Sequence, residues 1–213
     1  MKDHFEAQRK RILQAALPHV PFDGWSDRLL AQAVAESGVD ANVAALAFPD
    51  GPMDLLEFYW AEKDAALNDA IAVSAPLDPH LSRRIANALR IYIELLRPER
   101  EAVRRALALQ ALPHNLPHAL TCLYRTVDTI WRAVGDNSTD FNFYTKRATL
   151  AAVVASTVTH WLGEAGDEDI DAFIDRRIGD IMRFEQVKAR LRTAAGVLPS
   201  PARIIGRLFG HAG

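Results

Sequence analysis

The sequence predicts an all-α protein, and three observations carry that expectation. Apolar residues recur at i, i+3 and i+4 in one segment after another, the spacing that gathers them on one side of a helix. Leu81, Ile85, Ala88, Leu89, Tyr92 and Leu96 form one such stripe. Helix start and stop signals punctuate these segments, with Ser26, Asp40 and Ser200-Pro201 at starts and Gly38, Gly163 and Gly196 at ends. Near the N-terminus a helix, a tight turn containing Gly38 and a short second helix follow one another, which is the outline of a helix-turn-helix.

Residues 3–17 read as the first helix, with Phe5, Ile12, Leu13, Ala16 and Leu17 apolar among Lys and Arg. Pro18 and Pro21 close it, and Phe22-Asp-Gly-Trp25 reads as a turn. Ser26 caps a helix over Asp27–Ser37, ended by Gly38, and Asp40 caps a short helix through Phe48. Pro49-Asp-Gly-Pro52 stops that one, and a longer helix runs from Met53 to Ile71. The linker Ser74-Ala-Pro-Leu-Asp-Pro79 leads to a helix over 80–96. Pro98 fits the first position of the next, which reaches Leu112. Arg83, Arg84, Arg90, Arg97, Arg100, Arg104 and Arg105 make this pair basic. They read either as solvated helix faces or as a patch for anionic lipid or a partner. Pro113-His-Asn-Leu-Pro117 reads as a break, with His114 and His118 as loop or capping histidines. Leu120, Leu123, Val127, Ile130, Trp131 and Val134 then mark a core helix.

The most informative stretch follows. A polar loop ends at Asp140, an N-cap, and a helix is expected over Phe141–Leu162. One apolar line, Phe141, Tyr144, Ala148, Ala151, Ala155, Val158 and Leu162, can serve the core. A second, Phe143, Arg147, Leu150, Val154, Thr157 and Trp161, lies on another face. An aromatic and a guanidinium one turn apart read either as a recognition surface or as the charged first turn of a core helix. Gly163–Gly166 ends this helix, and another runs from Ile170 to Ala195.

Ser200–His211 reads as a final amphipathic helix. Ile204, Ile205, Leu208 and Phe209 share one arc, while Arg203, Arg207 and His211 line its flank. That pattern fits a helix lying on an anionic membrane surface, or one folded onto the core or a dimer mate. It is too short to cross a bilayer.

The 213 residues are 49% hydrophobic with a net charge of -2, which suits one large domain or one and a half small ones. The single cysteine, Cys122, reads as a buried thiol in a reducing compartment. The chain shows neither a spanning apolar run nor a signal-peptide core, and it reads as a complete bacterial cytosolic protein or a mature organellar one. It carries no phosphate-cradling glycine loop, no Gly-x-Ser-x-Gly and no His-Glu-x-x-His. A Glu-x-x-His pair, needed for a carboxylate di-iron bundle, is also missing. The expectation is a non-enzyme with no cofactor, metal or catalytic residue.

Ser37-Gly-Val-Asp40, with the short helix after it and Leu55 or Leu56 beyond, resembles the N-terminal unit of TetR-type regulators. Charge opposes DNA binding. Between Pro21 and Glu62 the only basic residue is Arg28, against eight Asp and Glu, and phosphate contacts need Lys or Arg. In the would-be recognition helix Asn42 is the one good base-edge reader.

Thr139-Asp-Phe-Asn-Phe-Tyr-Thr-Lys-Arg-Ala-Thr-Leu-Ala151, preceded by Arg125-Thr-Val-Asp-Thr-Ile-Trp-Arg132, resembles the ubiquinone (coenzyme Q) biosynthesis accessory family, the ninth protein in the pathway series. The resemblance extends through Phe173–Met182 and back to Ala16–Ser26. It implies a TetR-like helical bundle that binds lipid internally, forms a homodimer and assists the di-iron hydroxylase acting late on the ubiquinone ring. Carried over by motif, the partner surface involves Asp140, Phe143, Tyr144 and Arg147, with Phe143 where relatives often have tryptophan. A lipid chamber is expected to be lined by Leu123, Val127, Trp131, Val154, Val158 and Trp161. Three regions follow: a degenerate helix-turn-helix unit (1–73), a bundle binding lipid, partner and dimer mate (74–198), and a membrane-surface helix (199–213) carrying Arg203, Ile204, Ile205, Arg207, Leu208 and Phe209. The expected role is non-enzymatic. A prenylated quinone precursor, or another lipid, is taken from the membrane and presented to the hydroxylase, with no nucleic acid as partner. The expected location is peripheral, at the inner face of a bacterial membrane or the mitochondrial matrix side. The alternative is a DNA-binding regulator that responds to a hydrophobic ligand.

Overall fold

A computed structural model describes residues 2–74, 78–135, 142–163, 169–181 and 183. Among these every regular element is helical, in the order α1 (Lys2–Ala16), α2 (Val20–Asp23), α3 (Asp27–Ser37), α4 (Ala41–Ala47), α5 (Pro52–Val73), α6 (Leu81–Leu96), α7 (Arg100–Gln110), α8 (Leu116–Ala133) and α9 (Asn142–Trp161). Single 3-10 turns at Arg97–Glu99 and Pro113–Asn115 precede α7 and α8. A further helical stretch covers 170–181.

The caps expected in the N-terminal unit form as bonds. Ser26 Oγ accepts from Leu29 N at 3.2 Å, and Asp40 Oδ1 accepts from Asn42 N at 2.8 Å. Gly38 sits at φ +64°, a left-handed conformation that a side chain disfavours. Three prolines act differently from expectation. Pro21 stands in the first turn of α2, where a plain turn was expected. Pro98 falls in the 3-10 turn that joins α6 to α7, and Pro117 in the first turn of α8, which therefore starts earlier than the expected break allows. The physical reason is common to them: the first N–H groups of a helix have no internal partner, so a proline there loses nothing.

The helix at the centre is α5, which packs against α1, α3, α6 and α8. It buries Leu55, Leu56, Tyr59, Trp60, Leu67 and Ile71. α8 lies between α5 and α9, and α6 also meets α9. One apolar core runs from Ile12 in α1 to Ile174, and Trp25 Nε1 donates to Ala102 O across it at 3.1 Å.

On α9 both lines reach the core, the second along its length and the first through Val158 and Leu162. The second line faces inward, with Arg147, Leu150, Val154, Thr157 and Trp161 buried. In the first line Ala148 and Ala155 are exposed. An alanine hides little apolar area, so the face carrying Leu150, Val154 and Trp161 gains more by turning inward.

The arginines of the basic helix pair have partners within the fold, while Arg83 and Arg104 stay half or more exposed, at 70% and 50%. Arg84 donates to Val134 O at the end of α8. Arg100 donates to Trp161 O at 2.7 Å and Gly163 O at 3.0 Å, and Arg104 to Leu162 O at 2.8 Å, closing the end of α9. Arg105 reaches Pro21 O at 2.9 Å, and Arg90 pairs with Asp171 and Asp175 at 2.8 and 2.6 Å. Arg11 at Ser37 O and Lys63 at Leu95 O (3.2 Å) do the same for α3 and α6. Carbonyls that a helix leaves open at its C-terminus thus receive a cation from a neighbouring helix.

Candidate functional site

Helices α5 to α9 enclose a pocket of about 280 Å³. α5 contributes Trp60, α6 Tyr92, and α7 Leu107 and Gln110. From α8 come Leu116, Ala119, Leu120, Cys122, Leu123 and Thr126, and from α9 Val154, Ala155, Val158 and Thr159. None of these side chains is charged. The pocket opens where α8 is poorly covered: Leu116 and Leu120 are 50% and 57% exposed, and Tyr124, one turn on, is also exposed. These three stand four residues apart, on one side of the helix.

A polar layer backs the wall. Thr126 donates to Asp64 Oδ1 at 2.7 Å, and Arg125 donates through Nε to Asp64 Oδ2 at 2.9 Å and also to Glu57 O at 3.0 Å. Burial raises the Asp64 carboxyl above its ordinary value, outweighing these two bonds. Burial likewise pushes the Cys122 thiol up to about 11, so it is a protonated wall atom and a poor nucleophile.

Of the six residues expected to line a lipid chamber, Leu123, Val154 and Val158 line this pocket. Val127, Trp131 and Trp161 do not. They are core side chains, 0%, 5% and 0% exposed, and Trp161 also sits under the Arg100 guanidinium. Sequence reasoning missed Trp60, Tyr92 and Gln110. The one signal for Gln110 was a lone amide ending the otherwise apolar run Ala106-Leu-Ala-Leu109.

The expected partner motif is divided. Asp140 lies outside the described residues, and Phe143 and Tyr144 fall in the first turn of α9, their side chains outside the description. Arg147 is 6% exposed, and its Nε and a terminal nitrogen donate to Asp128 Oδ1 at 3.1 and 2.7 Å. Asp128 Oδ2 takes Arg132 at 2.7 Å. The guanidinium therefore fastens α9 to α8 beneath whatever surface the first turn presents. The expected membrane residues Arg203–Phe209 lie outside the described residues. No described helix is long and apolar enough to cross a membrane, and no group of metal-ligating side chains occurs among the described residues.

Residues 116–185 match the family model COQ9. That segment runs from the start of α8 through α9 and the 170–181 stretch, and it includes the α8 and α9 walls of the pocket. Ubiquinone biosynthesis protein COQ9, mitochondrial, of Homo sapiens is 30% identical over 205 residues, covering 91% of this chain and 63% of the relative. The Rattus norvegicus protein of the same name is 30% identical over 202 residues, covering 91% and 64%. The sequence is COQ9-like over most of its length. The chain spans less than two thirds of these relatives, which are mitochondrial by name. In three dimensions the COQ9-like chain matches a TetR transcriptional regulator from Nitrosomonas europaea with a TM-score of 0.64, covering 80% of this chain and 95% of that one. At 18% identity this likeness establishes a TetR-like fold and nothing of function.

Proposed function

We propose that this COQ9-like protein is a non-enzymatic accessory protein of ubiquinone biosynthesis that binds a prenylated quinone precursor and presents it to a ring hydroxylase. The observation carrying the lipid part is the uncharged pocket, open beside Leu116 and Leu120. At about 280 Å³ it lies at the small end of the range for small-molecule sites, so it takes a head group and the first tail carbons. The remaining tail runs out along Leu116, Leu120 and Tyr124. Burying apolar area is worth about 25 cal/mol per Å² in protein or bilayer alike, so transfer between them is close to neutral and reversible.

Handover uses the first turn of α9. Phe143 and Tyr144 supply the aromatic anchors, and Arg147 positions them through Asp128 instead of touching the partner. A homodimer and a peripheral location, with the 199–213 helix on the membrane, complete the reading. Native mass spectrometry of the purified protein tests it: a co-purifying neutral prenylated ring compound is expected. A protein that purifies empty and takes up no prenylated quinone from vesicles sinks it.

The second reading, a DNA-binding regulator, is favoured by the α3–α4 geometry. The exposed positions of α4 are Ala41, Asn42, Ala45 and Leu46, without a cation to meet phosphate. A low-salt mobility-shift titration discriminates, and sub-micromolar binding to any duplex would establish the regulator.

A further inference from the structure

The pocket wall is uneven in its hydrogen bonding. Six lining side chains carry a polar atom: Trp60, Tyr92, Gln110, Cys122, Thr126 and Thr159. Thr126 donates to Asp64, and Thr159 donates to Ala155 O at 2.8 Å. Gln110 Nε2 and Trp60 Nε1 differ from these, being buried with no acceptor within hydrogen-bond geometry. Their side chains are only 6% and 5% exposed. The acceptor that the Gln110 amide approaches is the Cys122 thiol, a weak one that falls outside hydrogen-bond geometry. Native interiors seldom leave a donor buried without an acceptor. Ten buried side-chain polar atoms among the described residues lack a hydrogen-bond partner, and two of them, both donors, lie around this one cavity.

We infer that Gln110 and Trp60 anchor the ligand's head, donating to neutral oxygen acceptors such as ring carbonyls, so that the head enters first and the tail leaves over Leu116 and Leu120. This rests on the lipid-binding reading and adds orientation and selectivity to it. Orientation follows from the lining: both unpaired donors are among its buried members, while Leu116 and Leu120 are its large exposed apolar side chains. The terminal torsion of a glutamine is soft, so the Gln110 amide can turn to meet an acceptor at little cost. Selectivity follows from charge. A carboxylate or phosphate would lose its hydration among these side chains without gaining a cation, since Arg125 is already held by Asp64 and the Glu57 carbonyl. A carbonyl loses far less and gains two N–H donors. The occupant is therefore a neutral, acceptor-headed amphiphile rather than a fatty acid or a phospholipid.

Three probes with one ten-carbon tail separate the possibilities: decylbenzoquinone, decylbenzene and decanoic acid, each titrated by calorimetry. Wild-type protein is expected to bind the quinone most tightly and the acid least. Gln110→Leu removes one donor at nearly constant size, and Trp60→Phe removes the other and leaves a smaller aromatic ring in the wall. Each should weaken quinone binding about tenfold, the worth of one hydrogen bond, and leave decylbenzene unchanged or tighter. Circular dichroism and melting on the same samples show whether each variant is folded, and Gln110→Leu should melt no lower than wild type because it removes an unpaired buried amide. Equal losses for quinone and decylbenzene, unaltered quinone affinity in both variants, or tighter binding of the acid overturns the head anchor. In those cases the lipid site itself survives. If no probe binds wild-type protein, the lipid-binding reading falls as well.

Discussion

Cys122 and Arg147 are the two residues whose chemistry depends most on where the fold puts them. Cys122 is 4% exposed in the pocket wall, and burial moves its thiol from the ordinary 9.0 to about 11. A raised folded value means that the thiol contributes stability in full below pH 9, and that this contribution is lost as pH rises through 11. Cys122→Ala should therefore flatten the alkaline fall in melting temperature over that window. Iodoacetamide at pH 8 should alkylate the native thiol at least about tenfold more slowly than the unfolded one. Equal rates would place the sulfur in solvent. Arg147 and Asp128 form a pair that is largely out of water, at 6% and 18% side-chain exposure. Arg147→Ala takes two charge-assisted bonds from Asp128 and leaves it Arg132 alone, so it should cost about 2 kcal/mol in urea denaturation. A stability loss of that size separates a fastening role from an exposed contact, whose removal would weaken a partner complex and leave the melt alone.

Among the elements, the helix ends show how this bundle is held in register. The C-termini of α3, α6, α8 and α9 each receive a cation from another helix. Arg104 is the cleanest case, a side chain from α7 reaching Leu162 O at the end of α9. Arg104→Ala should lower stability by about 1 kcal/mol, with the denaturant midpoint shifted and the slope unchanged. Arg104→Lys keeps the charge and loses the planar fork, so it should recover only part of that loss. If alanine is as stable as arginine, water serves the carbonyl equally well and the cap contributes nothing. Each of the seven arginines over 83–105 has a partner within the fold.

For the molecule as a whole, the sharpest test concerns the 199–213 segment. If this segment forms the proposed membrane-surface helix, a chain ended after Leu198 should lose co-sedimentation with anionic vesicles while keeping its melting transition. Ile205→Asp combined with Phe209→Asp should do the same without shortening the chain. Undiminished vesicle binding by both would leave the segment with a packing role only.

Much of the fold could be read from local bonds. The caps at Ser26 and Asp40 and the left-handed turn at Gly38 close within four residues of chain, so the residue types alone placed α3 and α4 with their correct ends. The resemblance read in residues 125–151 and 173–182 likewise pointed to the family that the comparisons then matched. What could not be read depends on partners far away in sequence. Both apolar lines of α9 looked suitable for the core, and only the packed bundle shows that Ala148 and Ala155 of the first are exposed while Val158 and Leu162 join the second in the core. Arg84 meets its carbonyl 50 residues on and Arg104 meets one 58 residues on, separations at which spacing carries no signal. The pocket is the extreme case, because five helices must be in place before Trp60, Tyr92, Gln110 and Val158 share one wall. Sequence by itself determined most of the helices, the caps at Ser26 and Asp40 and the likeness to COQ9. Tertiary structure alone decided which side chains face a common cavity, because that depends on how rigid helices pack and not on any periodicity within one of them.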